Sequence, residues 1–528
     1  MTSLLSLLVF TPLLAALGLL FVPNEGKRIF RWTAVFATGI QLVLAIILWL
    51  TFDSSNKPSS WSEAFQFVEK LPWIRMDVEG VGVLNVDYFV GVDGISLPLV
   101  VLAGFILLIG AISSFSIAEK IKGYFILYLV LSSTIIGCFV ALDFFLFYLF
   151  FEFMLLPMFF LIGIWGGKRR QYASIKFFIY TLIGSLFILV VMIGLFLSVE
   201  ENGSNTFSLI QMMNPSAYSA DSLLVWGGDQ AIGGVSVRTL AFWCVFIGFA
   251  IKLPAVPFHT WLPDAHVEAP TAISVVLAGL LLKIGGYGLF RIAYSIFPDV
   301  AIDSSMAVAV FGIMAIMYGG LNAMAQNDLK RLVAYASISH MGFVLVGLAA
   351  LTTQGASGAL FQMLSHGLLS PALFLLVGVL YDRTHDRQIE NFSGLAAQLP
   401  KFTVFVGLFF FASLGLPGLS GFVGELLVLL GAFSGSYVAG WVGPVAVIGI
   451  LISAAYFIWT LQRMFFGKYW VREEEWQVKM RDLTKREWLM LLPLAILVLS
   501  LGIFPSIVLE SIATSIEFWV EHILTFAK

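Results

Sequence analysis

The sequence predicts an all-α, polytopic membrane protein of about fourteen transmembrane helices, with two inverted five-helix repeats containing broken helices. Three observations lead there. Of 528 residues, 59% are hydrophobic and 12% charged, and the mean hydropathy is +0.96; no water-soluble core buries so much apolar surface. Apolar runs of about 20 residues, the length that crosses a bilayer, recur along the chain. Two of these runs are interrupted by proline close to a charge, at Lys252-Leu253-Pro254 and at Leu416-Pro417-Gly418 ahead of Glu425.

The runs fall near 3–22, 30–52, 95–116, 124–142, 144–165, 173–198, 240–262, 270–294, 305–325, 331–351, 356–381, 402–433, 440–465 and 488–509. The first, Leu4 to Val22, has no preceding positive charge and no small-residue cleavage site, and Lys27, Arg28 and Arg31 follow it. It therefore reads as a membrane helix, not a cleaved signal. The charge-free stretch from Leu426 to Gln462 exceeds one span, and Gly435, Gly440, Gly443 and Pro444 supply its turn. The two Pro-interrupted runs are the seventh and twelfth. An odd offset gives them opposite directions in the membrane, the pattern of inverted repeats whose broken helices meet near the midplane. The expected units are 1–123, three helices and a long outer loop; 124–294, the first repeat; 305–465, the second; and 466–528, a charged inner segment and final helix.

Lys and Arg bias sets the expected orientation. With both termini outside, inner loops and flanks hold 21 of the 29 Lys and Arg, while the outer side keeps Lys57, Lys70, Arg75, Arg238 and Lys528. Lys252, Lys283 and Arg291 lie within or at the edge of helices, and Arg291, near an outer end, is expected to snorkel. Outer loops are expected at about 53–92 and 199–238, with Val235-Ser236-Val237 as a short strand or hairpin; the charged inner stretch 466–487 suits a membrane surface. Cys138 and Cys244, far apart in apolar segments, read as small core residues. No nucleotide-binding loop or metal-ligand cluster stands out, so no cofactor, metal or redox centre is expected in this chain, and no nucleic-acid partner.

Four charges interrupt otherwise apolar spans: Glu152, Lys252, Lys283 and Glu425. A charge at the bilayer centre costs about 2.5–3.5 kcal/mol on insertion scales, so such residues face protein or water and mark ion pathways. Lys252 stands beside a break that exposes backbone polar groups, tolerated in a membrane only against protein or water. Lys283 is too near mid-span to snorkel. Glu152 and Glu425 read as path residues or as helix–helix hydrogen-bonding groups. His340 and His366, at similar depth, suit either a proton relay or a satisfied core position. His259 and His266 suit an access path or a structural cap.

Several stretches together resemble the antiporter-like subunits of respiratory complex I, and among them the M type, equivalent to mitochondrial subunit 4. They are Val92-Asp93-Gly94-Ile95-Ser96-Leu97-Pro98, Phe151-Glu152-Phe153-Met154-Leu155-Leu156-Pro157, Lys252-Leu253-Pro254 with Pro257-Phe258-His259-Thr260-Trp261-Leu262-Pro263-Asp264-Ala265-His266, Lys283-Ile284-Gly285-Gly286-Tyr287-Gly288, Asp328-Leu329-Lys330-Arg331 and Ser339-His340-Met341-Gly342. A glutamate at 425, where most such subunits carry lysine, resembles the M type. The resemblance implies a proton-translocating subunit in the membrane arm of an NADH-quinone oxidoreductase, with L-, N- and K-type neighbours in a bacterial plasma membrane. It implies an ion pair of Glu152 with Lys252, a connector at Lys283, links at His340 and His366, and a terminal residue at Glu425. A subunit of a multisubunit cation/proton antiporter or membrane-bound hydrogenase is the alternative, and a non-conducting scaffold the second.

Overall fold

A computed structural model describes residues 3–78, 82–228 and 230–527; Lys528, expected outside the membrane, lies beyond them. Along the chain run α1 (Leu4–Leu20), α2 (Lys27–Thr51), β1 (Gln66–Val78), β2 (Gly82–Val92), α3 (Leu97–Ser116), α4 (Ile121–Val140), α5 (Phe144–Trp165) and α6 (Arg170–Phe196). The broken helix follows as α7a (Val237–Lys252) and α7b (Trp261–Glu268), then α8 (Thr271–Tyr294), α9 (Ser305–Met324), α10 (Leu329–Ala349) and α11 (Thr353–Thr384). The second break separates α12a (Pro400–Ser413) from α12b (Ser420–Ser434), before α13 (Val442–Phe465), α14 (Lys485–Ile503) and α15 (Ser506–Leu524). Eleven helices among the described residues are long and apolar enough to cross a membrane, while α1, α12a and α12b are shorter apolar helices.

Burial orders the bundle. The most apolar stretches of α8 and α11 are entirely buried and that of α10 is 94% buried, against 33% for α2 and 39% for α6, α13 and α14. These central helices carry Lys283, His340 and His366, and the rim presents Ile179, Leu186, Val190 and Leu451 outward, as a lipid-facing surface does. Side chains start the inner helices where their amides lack partners. The Asp143 carboxylate accepts the Leu146 N–H at 3.0 Å to begin α5, and Asp328 accepts the Lys330 and Arg331 N–H groups at 2.8 and 3.1 Å to begin α10.

Two segments differ from expectation, and a third gains an anchor. The stretch 53–92 is not only loop: β1 and β2 form an antiparallel hairpin, latched where the Asp87 N–H donates to Asp143 (3.2 Å) and the Leu142 N–H to the Phe89 carbonyl (2.8 Å). Its charges, Glu69, Lys70, Arg75 and Asp77, mask the strand pattern, which only pairing with β2 stabilises. The segment 466–487 is anchored, because Trp470–Val471 pairs with Phe392–Ser393 and the Arg472 N–H donates to the Asn391 carbonyl at 3.1 Å. After α14 the chain does not simply end but forms α15, whose Val508, Ile512, Ile516, Trp519 and Ile523 face inward while Glu510, Glu517 and Glu521 keep it from being a span. The short hairpin of Ala231–Ile232 with Val235–Ser236 is present as expected.

Candidate functional site

The break in α7 places a lysine at its edge. Lys252 ends α7a, and the Ile251 carbonyl, freed where the helix stops, accepts the Trp261 indole N–H at 2.9 Å. The bundle is tight there: a Cβ on Gly285 of α8 would lie 2.6 Å from the Leu253 nitrogen, so α8 packs directly on the opening. Lys252 is buried, its ammonium 4.3 Å from the centre of the Phe151 ring and without a hydrogen-bond partner among the described residues. Its expected partner Glu152 follows Phe151, at the joint where Phe144–Phe153 gives way to Leu155–Trp165. Glu152 Oε1 also lacks a partner, and no Lys252–Glu152 contact within 4.0 Å occurs among the described residues. The expected ion pair is therefore open here, with an aromatic face as the lysine's neighbour.

Lys283 is the best-connected of the four. It lies between two wider π-helical stretches of α8, Leu277–Leu281 and Leu289–Tyr294, a backbone form that recurs at functional sites. Its ammonium donates to the Ala278 carbonyl at 2.6 Å and meets His366 Nδ1 of α11 at 2.6 Å. The rings of His366 and His340 stand edge to face with centroids 5.6 Å apart, and the Nε2 atoms of both are unpartnered. His366 rather than His340 thus touches Lys283, an order that the sequence does not contain.

From His366 the same helix leads to Glu425. One turn earlier, the Gln362 amide oxygen is unpartnered and stands beside Gly424 of α12b, while the Ser365 hydroxyl donates to that of Ser420 at 2.8 Å. Glu425 is buried, with Oε2 unpartnered against Gly415 in the α12 break. Gly415 has φ +81°, and a Cβ there would fall 2.5 Å from that carboxylate, so glycine is required twice over.

At the end of the bundle carrying the basic loops, a cavity of about 410 Å³ is lined by Arg169, Asp264, Glu268, Asp328 and Arg331. Asp264 holds Lys176 at 2.7 Å and Arg331 at 3.4 Å across it. His259 lies edge-on to Tyr318 (4.8 Å); His266, stacked on Phe374 at 4.4 Å, is fully buried with neither ring nitrogen partnered. Lys330, grouped with the exposed basic flank in the sequence, is buried and donates to the Ala269 carbonyl at 2.6 Å. Its place two residues after the capping Asp328, in the first turn, was the available signal. Arg291, expected to snorkel, is fully buried against Asp93 at 2.6 Å, because a partner distant in sequence removes the need to reach water.

Residues 141–453 match the family described as NADH:quinone oxidoreductase/Mrp antiporter, TM. The chain is 42% identical over 527 residues to NADH-quinone oxidoreductase subunit M of Rhodobacter capsulatus, covering 99% of this chain and 97% of the relative. Among solved structures it resembles a chain of respiratory complex I from Thermus thermophilus with bound NADH, at TM-score 0.81 and 28% identity, over 98% of this chain and 99% of that one. A chain of the Mrp complex from Dietzia sp. shares the fold at TM-score 0.80 and 21% identity, over 99% of this chain and 100% of the other.

Proposed function

The chain belongs to the NADH-quinone oxidoreductase subunit M family, and from that premise we propose that it carries protons along the buried line Lys252, Lys283, His366, His340, Glu425. It is an antiporter-like, polytopic subunit of the membrane arm of that enzyme complex. Electron transfer in other subunits supplies the energy, and L-, N- and K-type neighbours deliver it by conformational and electrostatic coupling. The membrane we propose is a bacterial plasma membrane, with the hairpin end outside. The chain holds no cofactor of its own. The units 124–294 and 305–465 act as two half-channels joined at Lys283.

One contact carries this reading, the 2.6 Å approach of Lys283 to His366, which ties the last helix of the first unit to a helix of the second. An ammonium facing an imidazole nitrogen shares a proton that either group can hold, so the contact suits transfer in both directions. Upstream, the gap between Glu152 and Lys252 is the natural control. An approaching carboxylate holds a proton on the lysine, and its withdrawal lets the proton pass to Lys283. The protons belong to the coupled set, not to single residues.

The test is proton pumping by the whole complex in sealed vesicles, read against NADH oxidation. Lys283→Ala and Glu425→Ala are expected to lower protons moved per NADH while assembly and electron transfer to an artificial acceptor persist, independently of sodium. Unchanged stoichiometry in both variants refutes the proposal.

A further inference from the structure

The polar column that begins at Lys283 also runs the other way, toward the hairpin end. Tyr287 and Arg291 follow Lys283 by four and eight residues, and the Arg291 Nε–H donates to the Tyr287 hydroxyl at 3.3 Å. Arg291 Nη2 comes within 2.6 Å of Asp93 Oδ2, a close buried charge pair. The other Asp93 oxygen accepts the Ile95 and Ser96 N–H groups at 3.2 and 3.0 Å, and the Phe65 ring lies 4.7 Å from the guanidinium. Above the pair sits α15: the Gly94 N–H donates to Ser515 (3.0 Å) and the Trp519 indole to the Phe290 carbonyl and Ser295 hydroxyl, both at 3.1 Å. Every residue from Leu281 to Pro298 is buried.

We infer that the Arg291–Asp93 pair, capped by α15, is a proton seal that stops Lys283 from discharging directly along α8 to the hairpin side. The inference rests on the reading that Lys283 carries protons. A line of polar groups conducts only if each member can take and release a proton. A guanidinium keeps its protons at any physiological pH, so it ends such a line. Asp93 offers no substitute, since a cation and two amides occupy its oxygens. A carboxylate alone at this position would serve as an outlet; paired with arginine and covered by a tryptophan-anchored helix, it closes one. Arg291 is thus a positioning and barrier residue, not a carrier.

The experiment uses the intact complex in vesicles under an imposed pH gradient with electron transfer inhibited, following gradient decay with an entrapped dye. The double variant Asp93→Asn/Arg291→Gln leaves no unpaired buried charge. It is expected to dissipate the gradient severalfold faster than wild type and to lower protons per NADH without slowing NADH oxidation. Adding Lys283→Ala is expected to restore tightness. A double variant as tight as wild type, or one that pumps less without leaking, overturns the seal. Should the double variant fail to assemble, Arg291→Lys keeps the pair but introduces a group able to deprotonate. Its leak is expected to climb with pH, and a flat profile overturns the inference. Pumping by wild type and its loss in Lys283→Ala alone test the parent reading separately.

Discussion

Replacing His366 by glutamine separates holding a proton from passing it. Lys283 has two partners, the Ala278 carbonyl and His366 Nδ1, each at 2.6 Å. A glutamine carbonyl can still accept from the ammonium, so the buried lysine keeps a partner and the fold keeps its contact between α8 and α11. An amide does not exchange protons near neutrality, so the step toward His340 is lost. His366→Leu removes the partner as well. Losing a hydrogen bond to a charged group costs about 1.5–3 kcal/mol, a slowing of about ten- to a hundredfold if that energy is felt at the transfer step. Both variants are read by protons per NADH in vesicles, together with assembly on native gels. The expected outcome is low pumping in both, with stability reduced only in His366→Leu. Normal pumping by an assembled His366→Gln complex would show that the proton does not pass through this ring.

Three further outcomes test neighbouring parts of the fold. Gly415→Ala forces a left-handed φ of +81° on a residue with a Cβ and crowds Glu425, costing about 1–2 kcal/mol; pumping is expected to fall more than the melting temperature. Arg238→Met removes the pair with Asp299 (2.7 Å), the donations to Leu224 (2.9 Å) and Ile296 (3.1 Å) carbonyls and the stacking on Trp226, for a loss of about 3 kcal/mol; faster proteolytic cleavage between 199 and 236 checks it. His522, packed among Trp61, Phe518 and Phe526, is pushed down to about 4 by burial. The unfolded imidazole charges near pH 6.5 and the folded one near 4, so α15 docking is fully stable above pH 6.5 and weakens as pH falls toward 4, by about 2 kcal/mol at pH 5. His522→Phe is expected to flatten that dependence in thermal unfolding measured against pH.

How far the sequence reaches depends on whether a residue's meaning is local. Lys252, Lys283 and Glu425 are legible because a charge in an apolar run is costly wherever it folds, and both breaks are legible because proline and glycine act on their own backbone. The apolar spans follow from the same kind of local cost. The hairpin is not legible, because β1 is held by pairing with β2 and β2 in turn by Asp143, and neither contributes to the pattern of β1. Helix α15 is legible in part: Val508, Ile512, Ile516, Trp519 and Ile523 recur at helical spacing, but its glutamates set it apart from the apolar spans. Pairings are the hardest class. Lys283 and His366 are 83 residues apart, and Asp93, from the segment ahead of the first repeat, meets Arg291 near the end of that repeat.

That difference bears on how the two ends of Lys283 are to be understood. Its side toward α11 finds a histidine, whose imidazole can take up and release a proton, and beyond it a second histidine, an unpartnered amide and a buried carboxylate. Its side toward the hairpin finds a tyrosine and then an arginine locked to an aspartate. Composition alone counts both sides as polar residues on buried helices. Chemistry separates them, because one set can change protonation state and the other is fixed. If Lys283 carries protons as proposed, its neighbours give that proton a direction, and the kinds of group beside it matter as much as their distance.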